Sequence, residues 1–114
     1  APPLAALDQL LAAGWRDLDR YGAVAAAASA QLSPAALTRS HQAAQQRVGE
    51  LIERGQADGS FRTDLPAGWL VASCFALIHT CADEARAGRL DPARALAVLT
   101  ATMHSLVLPP DPRG

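Results

Sequence analysis

Two cysteines and three histidines are the side chains of this sequence that could build a metal or redox site. His79 and Cys81 are two residues apart, so on a helix they point to different sides, and no second pair at ligand spacing accompanies them. Cys74 and Cys81 would share one helix face but lie two turns apart, which is farther than a disulfide allows. The pattern predicts no metal site and two reduced thiols, buried as small apolar groups, as in a cytosolic protein.

The serine, histidine and aspartate residues lack the sequence context of a catalytic site. None falls in a nucleophile elbow or a triad, and no glycine-rich phosphate loop follows a strand. We therefore expect no enzymatic activity and no cofactor.

Size and charge limit the function further. The 114 residues suit a single domain, residues 1–114, and a net charge of -1 provides no basic surface for nucleic acid. The longest nearly apolar run, residues 69–78, is too short to span a membrane, and no signal peptide is present. We expect a cytoplasmic protein without membrane contact. Because the chain opens on Ala1 without an initiator methionine, we also expect that a segment precedes it.

Apolar residues recur at helical spacing and no strand alternation occurs, so the sequence predicts an all-α bundle of about five helices. Their approximate ranges are 3–19, 23–30, 34–58, 65–87 and 92–107. Tyr21 and Gly22 separate the first two helices in this prediction. Ser33 and Asp91 each precede a proline, a pattern typical of a helix start.

The turn between the third and fourth predicted helices has the strongest local signals. Gly59 is placed to end a helix with a left-handed residue, and Pro66 is placed to begin the next one. We expect Asp64 to accept backbone N–H bonds at that helix start. Arg62 is expected to tie the turn to a neighbouring carboxylate or carbonyl.

The last two predicted helices have apolar or small residues almost all round. This apolar surface is larger than a single chain can bury. The sequence therefore predicts a homodimer in which these helices form a four-helix bundle across a two-fold axis. The candidate interface residues are Trp69, Ala72, Ala76, His79, Thr80, Ala93, Ala97, Thr100, Ala101 and His104. Alternatively, the alanine-rich second helix or a missing segment covers these faces in a monomer.

A small-molecule pocket is the second candidate site, between the first, third and fourth predicted helices. The candidate lining residues are Leu11, Trp15, Leu18, His41, Gln45, Cys74, Phe75 and Ile78. In the alternative interpretation His41 is a core or rim histidine, and Cys74, Phe75 and Ile78 are simply core residues. Because no arginine or acidic cluster looks buried, the pattern favours a small apolar or aromatic effector without net charge.

The segment Arg54 to Pro66, the tryptophan and apolar helix behind it, and the break Gly88 to Asp91 resemble the C-terminal regulatory domain of TetR-family transcriptional repressors. The resemblance implies a helical domain that dimerises through its last two helices and encloses an effector pocket. The family's N-terminal helix-turn-helix is absent, so DNA binding is implied only for a parent protein. The alternative is a stand-alone helical dimerisation or adaptor module that binds a protein and has no ligand pocket.

Overall fold

The computed structural model describes the backbone of residues 2–29 and 34–111, and the side chains of residues 2–16 and 42–111. Within these ranges the fold is all helical, which confirms the predicted fold class. Its helices are α1 (Pro3–Ser29), α2 (Pro34–Asp58), α3 (Ala67–Arg86) and α4 (Ala95–Val107). In this described part, no helix combines the length and the hydropathy that crossing a membrane requires.

The described part of the chain has four helices where the sequence predicted about five. The first two predicted helices are a single helix, α1, which continues through Tyr21 and Gly22 to Ser29. A glycine inside a helix costs only about 1 kcal/mol relative to alanine, and the alanine-rich stretch that follows has the highest helix propensity. The interruption expected at Gly22 was therefore too weak to end the helix.

The remaining helix boundaries follow local signals, with one shift. Helix α2 ends at Asp58 as predicted, and Gly59 has the left-handed φ of +84° that favours glycine at this position. Helix α4 begins at Ala95, three residues later than predicted, because residues 92–94 form a turn. Asp91 holds that turn by accepting the amide of Ala93 at 3.0 Å. The predicted cap Ser33 lies outside the described residues.

The turn after α2 is fastened to the end of α4 through Arg62. Its guanidinium donates two hydrogen bonds of 2.7 Å to the carboxylate of Asp64 and one of 3.4 Å to the carbonyl of Leu106. Its backbone amide donates to the carbonyl of Val107 at 2.8 Å. The prediction for Arg62 is confirmed. The prediction for Asp64 is wrong, because α3 begins without a side-chain cap and Arg62 occupies the carboxylate.

Phe61 and Gln56 fix the same turn from the inside. The Phe61 ring is 1% exposed, and its amide donates to the carbonyl of Gly55 at 3.0 Å. The Gln56 amide group donates to the carbonyls of Arg62 and Leu65, each at 3.0 Å. Part of the buried backbone of the turn is therefore satisfied by a side chain rather than by water.

The four helices contact each other in a ring in which α1 touches α2 and α4, and α3 touches the same two. Within the described residues, α1 and α3 make no close backbone contact, so they are diagonal to each other. The buried apolar core comprises Leu7, Leu11, Leu51, Ile52, Phe61, Leu70, Cys74, Cys81, Ala95, Leu99, Met103 and Val107. Because α1 and α3 make no close backbone contact, only side chains extend into the space between them.

Candidate functional site

Two adjoining cavities lie between the diagonal helices α1 and α3. Their volumes are about 260 Å³ and about 210 Å³. They share five lining residues, three from α1 and two from α3, which are Leu10, Leu11, Gly14, Phe75 and Ile78. Because these five residues border both spaces, the two neighbouring cavities are called here the two lobes of one candidate site.

All four helices contribute walls to this site. The first cavity is completed by Leu7, Ala13, Ala44, Arg47, Val48, Cys74 and Met103. The second cavity is completed by Trp15, His79 and Leu99. Among the described lining residues, Arg47 is the one charged side chain and His79 the one imidazole, and the other walls are apolar. Such a site favours an apolar molecule with a polar group at one end.

Small residues leave this space open where larger ones would fill it. Gly14 on α1 borders both cavities, and a Cβ atom added there would meet no atom within 4 Å. Ala13 beside it and Ala44 on α2 have only a methyl side chain. These three positions therefore place little side chain at the wall of the site.

The structure brings together five of the residues that the sequence proposed for a pocket, namely Leu11, Trp15, Cys74, Phe75 and Ile78. Gln45 is exposed and does not line either cavity. The side chains of Leu18 and His41 lie outside the described residues. Binding of an effector by any of these residues stays a prediction.

Ten wall residues were not predicted as pocket lining, and Leu10, Gly14 and Arg47 are among them. Leu10 and Gly14 are one turn apart on α1, next to the apolar positions Leu11 and Trp15 that were recognised. This adjacency is a signal that the helical spacing could have provided. Arg47 gave no such signal, because a charged residue in a helix is normally interpreted as facing solvent.

The two cysteines are buried and form no disulfide, as the sequence predicted. Burial in apolar surroundings raises the pKa of the Cys74 thiol to about 11. Burial also raises the pKa of Cys81, whose thiol donates to the carbonyl of Ala95 at 3.4 Å. Cys74 therefore lines the first cavity as a neutral, unreactive group.

The ten candidate interface residues lie on the surface of the single chain or partly below it. Trp69 is 61% exposed, and seven more are exposed, namely Ala72, Ala76, His79, Thr80, Ala93, Ala97 and Ala101. Thr100 and His104 are half-buried. The His104 ring forms a 2.7 Å hydrogen bond with Asp8, so it joins α4 to α1 within one chain. The interface itself stays a prediction.

Comparison with known proteins does not assign this chain to a family. No family model, no curated protein and no solved structure matches the chain. Within the described residues, no group of three or more histidine, cysteine or acidic side chains is placed to hold a metal ion. The features of the structure that bear on function are the two-lobed site and the exposed faces of α3 and α4.

Proposed function

We propose that this chain is the effector-sensing and dimerisation domain of a TetR-like transcriptional repressor. The observation that carries the proposal is the pair of adjoining apolar cavities between α1 and α3. Known small-molecule sites typically occupy about 300–1,000 Å³, a range that the two lobes reach together but neither reaches alone. Their walls suit a small apolar or aromatic effector.

The exposed faces of α3 and α4 support the dimerisation half of the proposal. Trp69 is 61% exposed on α3, and Val98 is 37% exposed on α4. Alanines 72, 76, 97 and 101 are exposed on the same two helices, where a solvent-facing helix usually has charged residues. A second copy of the chain would bury both faces at once through a two-fold axis.

The mechanism we propose is a coupling between the effector site and DNA-reading heads in a parent protein. An effector that fills the space between α1 and α3 would set the distance between these helices. Because α1 would be adjacent to the DNA-binding heads, a change in its position would alter their separation and favour release from DNA. DNA would be contacted only through that N-terminal domain, and the protein would act in the cytoplasm.

The effector site is tested by filling it. Gly14→Leu places a side chain where the two lobes meet, with no atom within 4 Å of the new Cβ. Leucine also has a higher helix propensity than glycine by about 1 kcal/mol, so the variant should be at least as stable as the wild type. A thermal-shift screen against apolar and aromatic compounds should find ligands that raise the Tm of the wild type but not that of Gly14→Leu.

Ala57→Leu is the matched control, since Ala57 is exposed on α2 and lines neither cavity. This variant should keep every ligand-induced shift. If ligands stabilise Gly14→Leu and the wild type equally, they bind elsewhere and the site is misassigned. If no compound binds while the chain still dimerises, the adaptor interpretation replaces the sensor.

A further inference from the structure

The wall of the first cavity includes a cation that the sequence did not place there. Arg47 on α2 lines this cavity and is also an exposed residue. It therefore lies at the rim of the cavity, where a long basic side chain can keep its charged end in water. This arrangement revises the expectation of an effector without net charge.

Arg47 has no carboxylate partner among the described side chains. The nearest acidic residue in sequence on α2, Glu50, accepts a hydrogen bond from Gln46 at 3.4 Å. Asp8 on α1 is bonded to His104 at 2.7 Å. Among the described side chains, Arg47 itself takes part in no ion pair. Its guanidinium can therefore receive an anion from a bound molecule.

We propose that the effector is an amphipathic monocarboxylate whose carboxylate pairs with Arg47 and whose unbranched apolar tail fills the two lobes. This inference rests on the proposed function, because it names the chemical class of the ligand at the same site. A guanidinium offers a planar pair of donors that matches a carboxylate. The tail would pass between Phe75 and Ile78, which border both lobes, and reach Trp15 in the second.

His79 is the other polar group of the site, at the wall of the second lobe. It provides a second place where a carboxylate could be held, with the tail reversed. Arg47 is the stronger candidate because its guanidinium is permanently charged and presents a planar pair of donors that matches a carboxylate. The orientation with the carboxylate at Arg47 is therefore the one proposed.

Isothermal titration calorimetry at pH 7.5 with decanoate and 1-decanol, both below their aggregation limits, tests the inference. The two probes share a ten-carbon chain and differ in the anionic head. We expect decanoate to bind the wild type about fivefold more tightly than decanol, a modest value because Arg47 is exposed to water. Arg47→Gln should weaken decanoate binding more than decanol binding and so bring the two affinities close together.

Arg54→Gln is the matched control, because Arg54 is an exposed arginine on α2 that lines neither cavity. It should keep the fivefold preference. Equal binding of the two probes by the wild type would overturn the proposal that the effector has an anionic head. The proposal of an effector site would remain. Binding of neither probe would contradict the inference, and failure of the wider screen as well would remove the proposed function. A preference that survives Arg47→Gln but disappears in His79→Gln would overturn the assignment to Arg47.

Discussion

Gly55→Ala should destabilise the domain, although alanine is the better helix former. Gly55 is buried near the end of α2, directly against the ring of Phe61. A Cβ atom added at Gly55 would lie 2.2 Å from Cδ2, 2.6 Å from Cγ and 2.7 Å from Cε2 of that ring. Contacts this short are not tolerated, so the ring or the helix has to move.

The ring has little freedom to withdraw. Phe61 is 1% exposed, and its turn is tied to α4 by the amide of Arg62 and to α2 by Gln56. Overpacking a well-packed core costs about 1–3 kcal/mol, and complete loss of a buried phenylalanine ring costs about 3–5 kcal/mol. Replacing glycine by alanine in a helix returns about 1 kcal/mol. We therefore expect a net loss of about 2 kcal/mol in the free energy of unfolding.

Urea denaturation followed by circular dichroism measures this loss, with Gly68→Ala as the matched control. No atom lies within 4 Å of a Cβ at Gly68, so that variant should gain about 0.5–1 kcal/mol from helix propensity. Combining Gly55→Ala with Phe61→Leu should recover part of the loss, because the clash partner is smaller. If Gly55→Ala is as stable as the wild type, the close packing of α2 on Phe61 is refuted.

Three further predictions concern charge, thiol chemistry and association. The hydrogen bonds from Arg62 lower the pKa of Asp64. The stabilisation from these bonds is present above the pKa of Asp64 in the unfolded chain and is lost as the pH falls through its pKa in the folded protein. Asp64→Asn should therefore lower the Tm slightly at pH 7 and should leave it unchanged below the folded pKa. With its pKa near 11, Cys74 should react with iodoacetamide at pH 8 roughly 100-fold more slowly in the folded protein than in urea, and equal rates in peptide-resolved mass spectrometry would contradict its burial. Trp69→Glu should convert the dimer into a monomer, as measured by sedimentation velocity at micromolar concentration. Gln42→Glu, at an exposed position on α2, should leave the dimer intact. A monomeric wild type would refute the dimer.

Features set by neighbours in sequence were the predictable ones. The end of α2 at Gly59 follows from the ability of glycine to adopt a positive φ, which needs no information about distant residues. The length of α1 was mispredicted because a single glycine competes with a long alanine-rich stretch, and the stretch prevails. Asp64 was misassigned because the guanidinium of Arg62 takes the carboxylate that was expected to accept backbone N–H bonds. Arg62 also donates to the carbonyl of Leu106 on α4, which is far along the chain.

The candidate site was predictable only as a set of helix faces. Helical spacing placed Leu11 and Trp15 on one face of α1, and Phe75 and Ile78 near each other on α3. The open space between those faces depends on the distance between two diagonal helices. The spacing of apolar residues along one helix gives no information about that distance. Arg47 belongs to the site for the same reason, since its position at the rim is set by packing between helices.

The central claim is that a small molecule binds between α1 and α3, and the two isoleucines of the chain test it directly. Ile78 lines both lobes, whereas Ile52 is fully buried in the core and lines neither. With only the isoleucine δ1-methyl groups labelled, a methyl NMR spectrum should show two signals. Titration with decanoate, or with a ligand from the thermal-shift screen, should move the Ile78 signal and leave Ile52 nearly unchanged. A bound ligand that leaves Ile78 unmoved, or that shifts the two signals equally, would contradict a binding site between these helices.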